Sequence, residues 1–149
     1  MNGFLPLGTH EYRIEEDLLF LRYSGQLTPE HAREIMSLVH TVRARWGRVL
    51  VLTDSSRGAV MPPQTRKAFM DLLTPATRMD YQAVFGMPGP MRVIAFLLTR
   101  AARLMGRSQL EIEFFATETA ARAYLNAKRE YLQTRAGLRS PPAEDRSLL

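Results

Sequence analysis

The densest run of chemistry-bearing groups in this chain is Asp54-Ser55-Ser56-Arg57-Gly58, where a carboxylate, two hydroxyls and a guanidinium stand side by side. Asp and Ser side chains hydrogen-bond their own backbone and turn a chain at the end of a strand. The same groups can contact a ligand, because ligands gather at the carboxyl ends of strands in open α/β sheets. A Ser-His-Asp nucleophile would need a strained elbow, and no Gly-x-Ser-x-Gly run occurs. His31 and His40 lie nine residues apart on one helical stretch. That spacing does not share a metal ion, and both read as surface residues. Glu15-Glu16-Asp17 reads as the solvated tip of a hairpin, and Glu111 and Glu113 alternate along one face of a strand. Gly86-Met87-Pro88-Gly89-Pro90 lacks the spacing and the lysine of a phosphate loop. The chain has no cysteine, which excludes disulfides, thiolate zinc sites, iron–sulfur clusters and cysteine nucleophiles. No catalytic residue, metal ligand or cofactor is expected, so the chain reads as a non-enzyme.

Composition bounds the rest. The 149 residues suit one domain with a real core: 46% are hydrophobic and 23% charged. The net charge is +5, and eighteen of the twenty basic residues are arginine. They are scattered rather than clustered and accompany no recognition motif, so nucleic-acid binding is not expected. The longest apolar stretch, Val93 to Leu98, is far short of a membrane span. Met1–Gly8 lacks the basic start and apolar run of a secretory signal, which leaves the cytoplasm as the expected location.

Patterning places these groups on elements. Residues 1–8 read as a lead-in. His10–Glu15 and Leu18–Ser24 read as an antiparallel hairpin around Glu16-Asp17. Thr28-Pro29-Glu30 opens a helix by capping, by proline at the first position and by an acid at the positive end of the dipole. Ala32, Ile35, Met36, Val39 and Val42 form its apolar stripe, Trp46 extends it and Gly47 ends it. Val49-Leu50-Val51-Leu52 is continuously apolar, as a strand covered on both faces must be. Strand, helix and buried strand predict a right-handed parallel crossover. Pro62-Pro63 opens a second helix, Tyr81–Met87 gives a strand around Gln82-Ala83-Val84-Phe85, Met91–Met105 a third helix, Leu110–Ala116 a fifth strand, and Thr117 caps a last helix to about Leu132. Residues 133–149, with Gly137 and Pro141-Pro142, read as a disordered tail. The expectation is one α/β domain over 9–132, a single mixed sheet of about five strands with about four helices in the order ββαβαβαβα.

The helix Met91–Met105 sets a constraint of its own. Its centre is apolar almost all the way round, so its outer side must be covered by the chain itself, by a second copy or by lipid. Met91, Ile94, Ala95, Phe96 and Leu98 are the candidate contact residues. Arg92, Arg100, Arg103 and Arg107 flank them and suit anionic headgroups as well as solvated helix ends.

The order of elements resembles the STAS fold of sulfate-transporter tails and anti-sigma factor antagonists, and most of all the SpoIIAA-like proteins. The resemblance covers roughly residues 9–132. It rests on Gly25-Gln26-Leu27-Thr28-Pro29-Glu30, on Val49-Leu50-Val51-Leu52-Thr53-Asp54-Ser55-Ser56, and on Phe114-Phe115-Ala116-Thr117-Glu118 with Ala120-Ala121 and Tyr124-Leu125. It implies a non-catalytic regulatory module with a protein partner or as a homodimer, and Ser56 matches the serine that a partner kinase phosphorylates in anti-sigma antagonists. Arg57 stands where that family has glycine, and Pro62-Pro63 delays the next helix, which puts the serine in a loop. The resemblance also implies apolar ligands and membrane association, with a lipid pocket expected between the sheet and the Met91–Met105 helix.

Overall fold

The computed structural model describes residues 3–106 and 111–139. Three short strands, β1 (Leu5–Leu7), β2 (His10–Glu15) and β3 (Leu18–Arg22), form an antiparallel meander. A two-residue strand β4 (Gly25–Gln26) precedes the long helix α1 (Pro29–Trp46). Then come β5 (Leu50–Asp54), β6 (Ala59–Val60), α2 (Pro63–Asp71), a 3-10 turn at Pro75–Thr77 and β7 (Tyr81–Phe85). Helix α3 (Gly89–Leu104), β8 (Ile112–Phe115) and α4 (Glu118–Arg139) complete the chain. The main sheet has the order β1-β2-β3-β5-β7-β8, with β3, β5, β7 and β8 parallel; β4 and β6 pair as a separate ribbon.

The mixed α/β architecture is the one the sequence predicts, with three differences. The sheet has six strands rather than five, because Leu5–Leu7 in the lead-in pairs with β2, and β4 and β6 add a ribbon. Runs this short carry too few alternations to register as strands. Helix α4 continues past Leu132 to Arg139, so residues 133–139 are not tail. Gly137 weakens a helix by about 1 kcal/mol relative to alanine but does not end this one. The remainder of the expected tail, from residue 140, lies outside the described residues.

The sheet is buried on both faces because its central strands alternate between two clusters. Leu19, Leu21, Val49 and Val51 face Ile35, Met36, Val39 and Val42 of α1, with Phe69, Leu72 and Leu73 packed alongside. Leu18, Phe20, Leu50, Leu52, Ala83 and Phe85 face Ala121 and Leu125 of α4. The continuous apolar run of β5 is therefore a consequence of cover on both sides. Helix α1 is held at both ends: the Thr28 hydroxyl accepts the His31 amide hydrogen, the Thr28 amide donates to His31 Nδ1, and Gly47 closes the helix at φ +73°.

The hairpin tip is not a solvated one. The Asp17 side chain is 2% exposed, and its carboxylate accepts from Arg48 Nε at 2.7 Å and from Arg129 Nη2 at 2.7 Å. Two residues earlier, Glu15 takes both terminal nitrogens of Arg122, at 2.8 and 3.0 Å. Burial pushes the Asp17 carboxyl up, but hydrogen bonds from Arg129 and Arg48 outweigh it and hold the group below its ordinary value. Glu15 is lowered as well, first by the Arg122 hydrogen bond. Both groups stabilise the fold above the ordinary carboxylate pKa of about 4, and that stability is lost as pH falls through the folded values. Asp17→Asn therefore lowers stability by about 3 kcal/mol at neutral pH, and by less in acid where the carboxylate is already protonated. Urea unfolding of the variant at the two pH values checks this; a loss within about 0.5 kcal/mol, the range of ordinary surface substitutions, would contradict it.

Candidate functional site

The Asp54–Gly58 loop leaves the sheet at the carboxyl end of β5, as expected. Asp54 and Ser55 are buried and Ser56, Arg57 and Gly58 are exposed. Asp54 divides its two oxygens. Oδ1 accepts the Ser56 amide hydrogen at 2.9 Å, which makes the turn, and Oδ2 stands 3.4 Å from Arg22 Nε. Ser55 faces inward, its amide donating to the Phe85 carbonyl at 2.9 Å. Arg57 reaches Glu11 Oε1 at 3.1 Å. Gly86, at φ +84°, backs the loop closely: a Cβ there would meet Ser56 Cβ at 2.9 Å and Ser56 N at 3.0 Å. The five residues thus form one braced turn that exposes Ser56, Arg57 and Gly58 and buries Asp54 and Ser55. Ser56 lies well ahead of α2, in a loop, as the proline pair predicts.

The loop rests on a histidine clamp that sequence reasoning missed. His10 is buried, its Nδ1 accepts the Ser24 amide hydrogen at 2.9 Å, and its Nε2 lies 3.0 Å from the Gln26 carbonyl. An Nδ1 that accepts cannot carry a proton, so His10 is the neutral Nε2–H form. The His31 ring stacks edge-on at 4.8 Å, and His31 is half-buried rather than a surface residue. Together they fix residues 24–28, whose β4 segment carries β6 directly beyond the Ser55–Gly58 turn. Only the long sequence separation hid this arrangement.

Among the described residues nothing covers helix α3. None of its residues is buried, and its packing is against β8. Ile94, Leu97 and Leu98 are 58%, 59% and 66% exposed, and Met91, Val93 and Phe96 are exposed too. Ala95, Arg92 and Arg103 are half-buried. Arg103 Nη2 donates to the Ile112 carbonyl, and the Arg100 guanidinium stacks 5.0 Å from the Phe96 ring. Arg107 lies outside the described residues. Among the described residues no helix is long and apolar enough to cross a membrane.

An apolar cavity of about 330 Å³ opens between the sheet and α2 rather than beneath α3. Leu21, Tyr23 and Val51 form its sheet side, and Phe69, Met70 and Leu73 its helix side. Its polar lining is Arg66, Gln82 and the Tyr23 phenol, whose pKa burial pushes up. Helix α2 is short and lacks a side-chain cap, so it covers the sheet incompletely. The apolar spacing of Phe69, Leu72 and Leu73 signalled a helix face, but not the gap beneath it. The volume is at the small end for ligand cavities.

A family model described as SpoIIAA-like matches residues 18–126, and the chain belongs to the SpoIIAA-like family. This family has the STAS-type fold of regulatory modules, which are generally non-enzymatic and commonly bind protein partners. No curated protein matches the chain.

The clamp makes one end of the sheet acid-sensitive. Burial holds the His10 imidazole below the ordinary histidine value of 6.5. The unfolded chain therefore takes up a proton that the folded chain refuses. The stabilisation is complete above about pH 6.5 and is lost as pH falls through the folded value. Thermal unfolding between neutral pH and about pH 5 should slope downward, and His10→Gln should flatten that slope. An imidazole of His10 that protonates at or above 6.5 by NMR titration would overturn the assignment.

Proposed function

We propose that this chain is a non-catalytic regulatory module that docks reversibly on an anionic membrane surface through α3. The observation that carries the reading is the exposed apolar side of α3, from Met91 through Ile94 and Leu98, on a helix with basic but no acidic residues. An amphipathic helix of this kind lies in the interface, with its apolar side among acyl chains and its arginines near headgroups. Each basic residue near an anionic leaflet contributes about 1 kcal/mol. A second copy is a poorer fit, because it would have to enclose the exposed Arg100 within an apolar contact. The cavity beneath α2 supports a companion role, the holding of one small apolar molecule or acyl segment. Protein freshly purified and examined by native mass spectrometry should carry such a molecule.

The test is sedimentation with vesicles of phosphatidylglycerol and of phosphatidylcholine. The protein should pellet with the anionic vesicles at low ionic strength and be released by salt. Leu98→Glu should weaken this about tenfold or more, since one large apolar side chain is worth about 1.5–3 kcal/mol, and should leave thermal stability unchanged. No binding to anionic vesicles at low salt would sink the reading. A dimer in solution that Leu98→Glu dissociates would assign the face to a second copy instead.

A second reading is a phosphorylation switch, and the division between the two serines favours it. Ser56 is exposed on a turn braced by Asp54, whereas Ser55 is buried. Phosphate adds nearly two negative charges beside Arg57. After incubation with host lysate and ATP, peptide mass spectrometry should place phosphate on Ser56 and not on Ser55; modification of Ser55, or of neither serine, excludes this switch.

A further inference from the structure

The amino-terminal ends of the parallel strands, opposite the Ser56 turn, carry a second feature. A groove of about 440 Å³ lies among the end of α1, residues 47–48 ahead of β5, residues 78–80 and the last turns of α4. Trp46 forms one wall, and Arg43, Arg48, Arg78 and Arg135 line it against one carboxylate, Asp80. That carboxylate is already engaged. Its Oδ2 accepts from the Val49 amide at 2.9 Å and from Arg43 Nη1 at 3.1 Å, and Arg78 Nε stands 3.7 Å from its Oδ1.

The guanidiniums are not used up in return. Arg48 spends Nε on Asp17, a carboxylate that Arg129 also holds, and neither of its terminal nitrogens has a partner among the described residues. Arg78 is 69% exposed. Among the described residues Arg135 donates only to the Tyr131 hydroxyl, at 3.4 Å. The negative end of the α1 dipole explains Arg43 and Arg45 in its last turn, but it does not explain Arg78 and Arg135, which other segments bring in. Four guanidiniums converge on one space beside Asp80 and an aromatic wall, with Asp17 holding only the Nε side of Arg48.

We propose that this groove binds a phosphate-bearing ligand, held by the guanidinium forks with its organic part against Trp46. Planar guanidiniums match phosphate oxygens in pairs, and an indole face accepts a ring or a cation-flanked apolar group. The shared chemistry is that of a phosphomonoester, either on a free molecule or on a lipid headgroup. The inference does not depend on α3 and stands or falls separately from membrane docking.

Trp46 is the only tryptophan in the chain, so its emission reports on this groove alone. Titration with phenyl phosphate should change that emission saturably at low ionic strength, while phenol should not. Arg78→Ala combined with Arg135→Ala should weaken the response about tenfold or more with no change in circular dichroism or melting temperature, because neither residue belongs to the Asp17 network. Vesicles containing phosphatidic acid identify the source. A response to vesicles only, lost in the double variant, assigns a headgroup; a response to phenyl phosphate that survives in Leu98→Glu assigns a free ligand. No saturable change with either probe, or equal binding by the double variant, overturns the proposal.

Discussion

Two carboxylate–guanidinium forks hold the second face of the sheet in place. Glu15 and Asp17 stand two residues apart at the β2–β3 turn, and Arg122 and Arg129 stand two turns apart on α4. The tight turn and the helix thus present matching charges in one register. Asp17 also accepts from Arg48, and its carbonyl accepts the Leu50 amide hydrogen at 2.9 Å, so the same residue ties the antiparallel meander to the parallel half. The carboxylate is buried while its arginines keep partial access to water, which lowers the desolvation cost relative to a fully buried pair. Slide α4 by one turn and both forks break, together with the seating of Ala121 and Leu125 on Leu50 and Leu52.

How far such a structure can be read from its sequence depends on the range of each interaction. The α1 helix, its caps and the two-faced β5 strand follow from neighbours within a few residues, and they are found where patterning puts them. The turn made by Asp54 and Ser56 is local as well. Asp17 was legible only as a charge at a hairpin tip, because its partners lie 31 and 112 residues away. The His10 clamp has the same character: each imidazole is unremarkable alone, and the pair arises because the meander lays β2 beside the start of α1. The cavity beside α2 is silent in the sequence for a related reason. An apolar helix advertises itself, whereas a gap under a short helix leaves no mark in the sequence.

The two ends of the sheet have been given opposite characters by this arrangement. At the carboxyl ends, Asp54 with Arg22 and Glu11 with Arg57 are matched in pairs. At the amino ends, arginines from α1, the segment just before β5, the 78–80 segment and α4 converge while their acidic partners are already engaged. A net charge of +5 is therefore not spread evenly over the surface. Long-range attraction acts on such an asymmetry by orienting the molecule before any contact forms.

Helix α3 can remain uncovered because nothing in the core requires it. The buried clusters draw on α1, α2 and α4, and neither includes a residue of α3. Among the described residues its main packing is against one edge strand, β8, whose own residues are only half-buried. Apolar side chains that stabilise no interior would ordinarily be a liability for solubility, and polar replacements at Ile94, Leu97 and Leu98 would cost the fold nothing. Their presence on an element so loosely joined to the core is the arrangement expected of a surface whose work is done outside the molecule, where it can dock and release without disturbing the sheet.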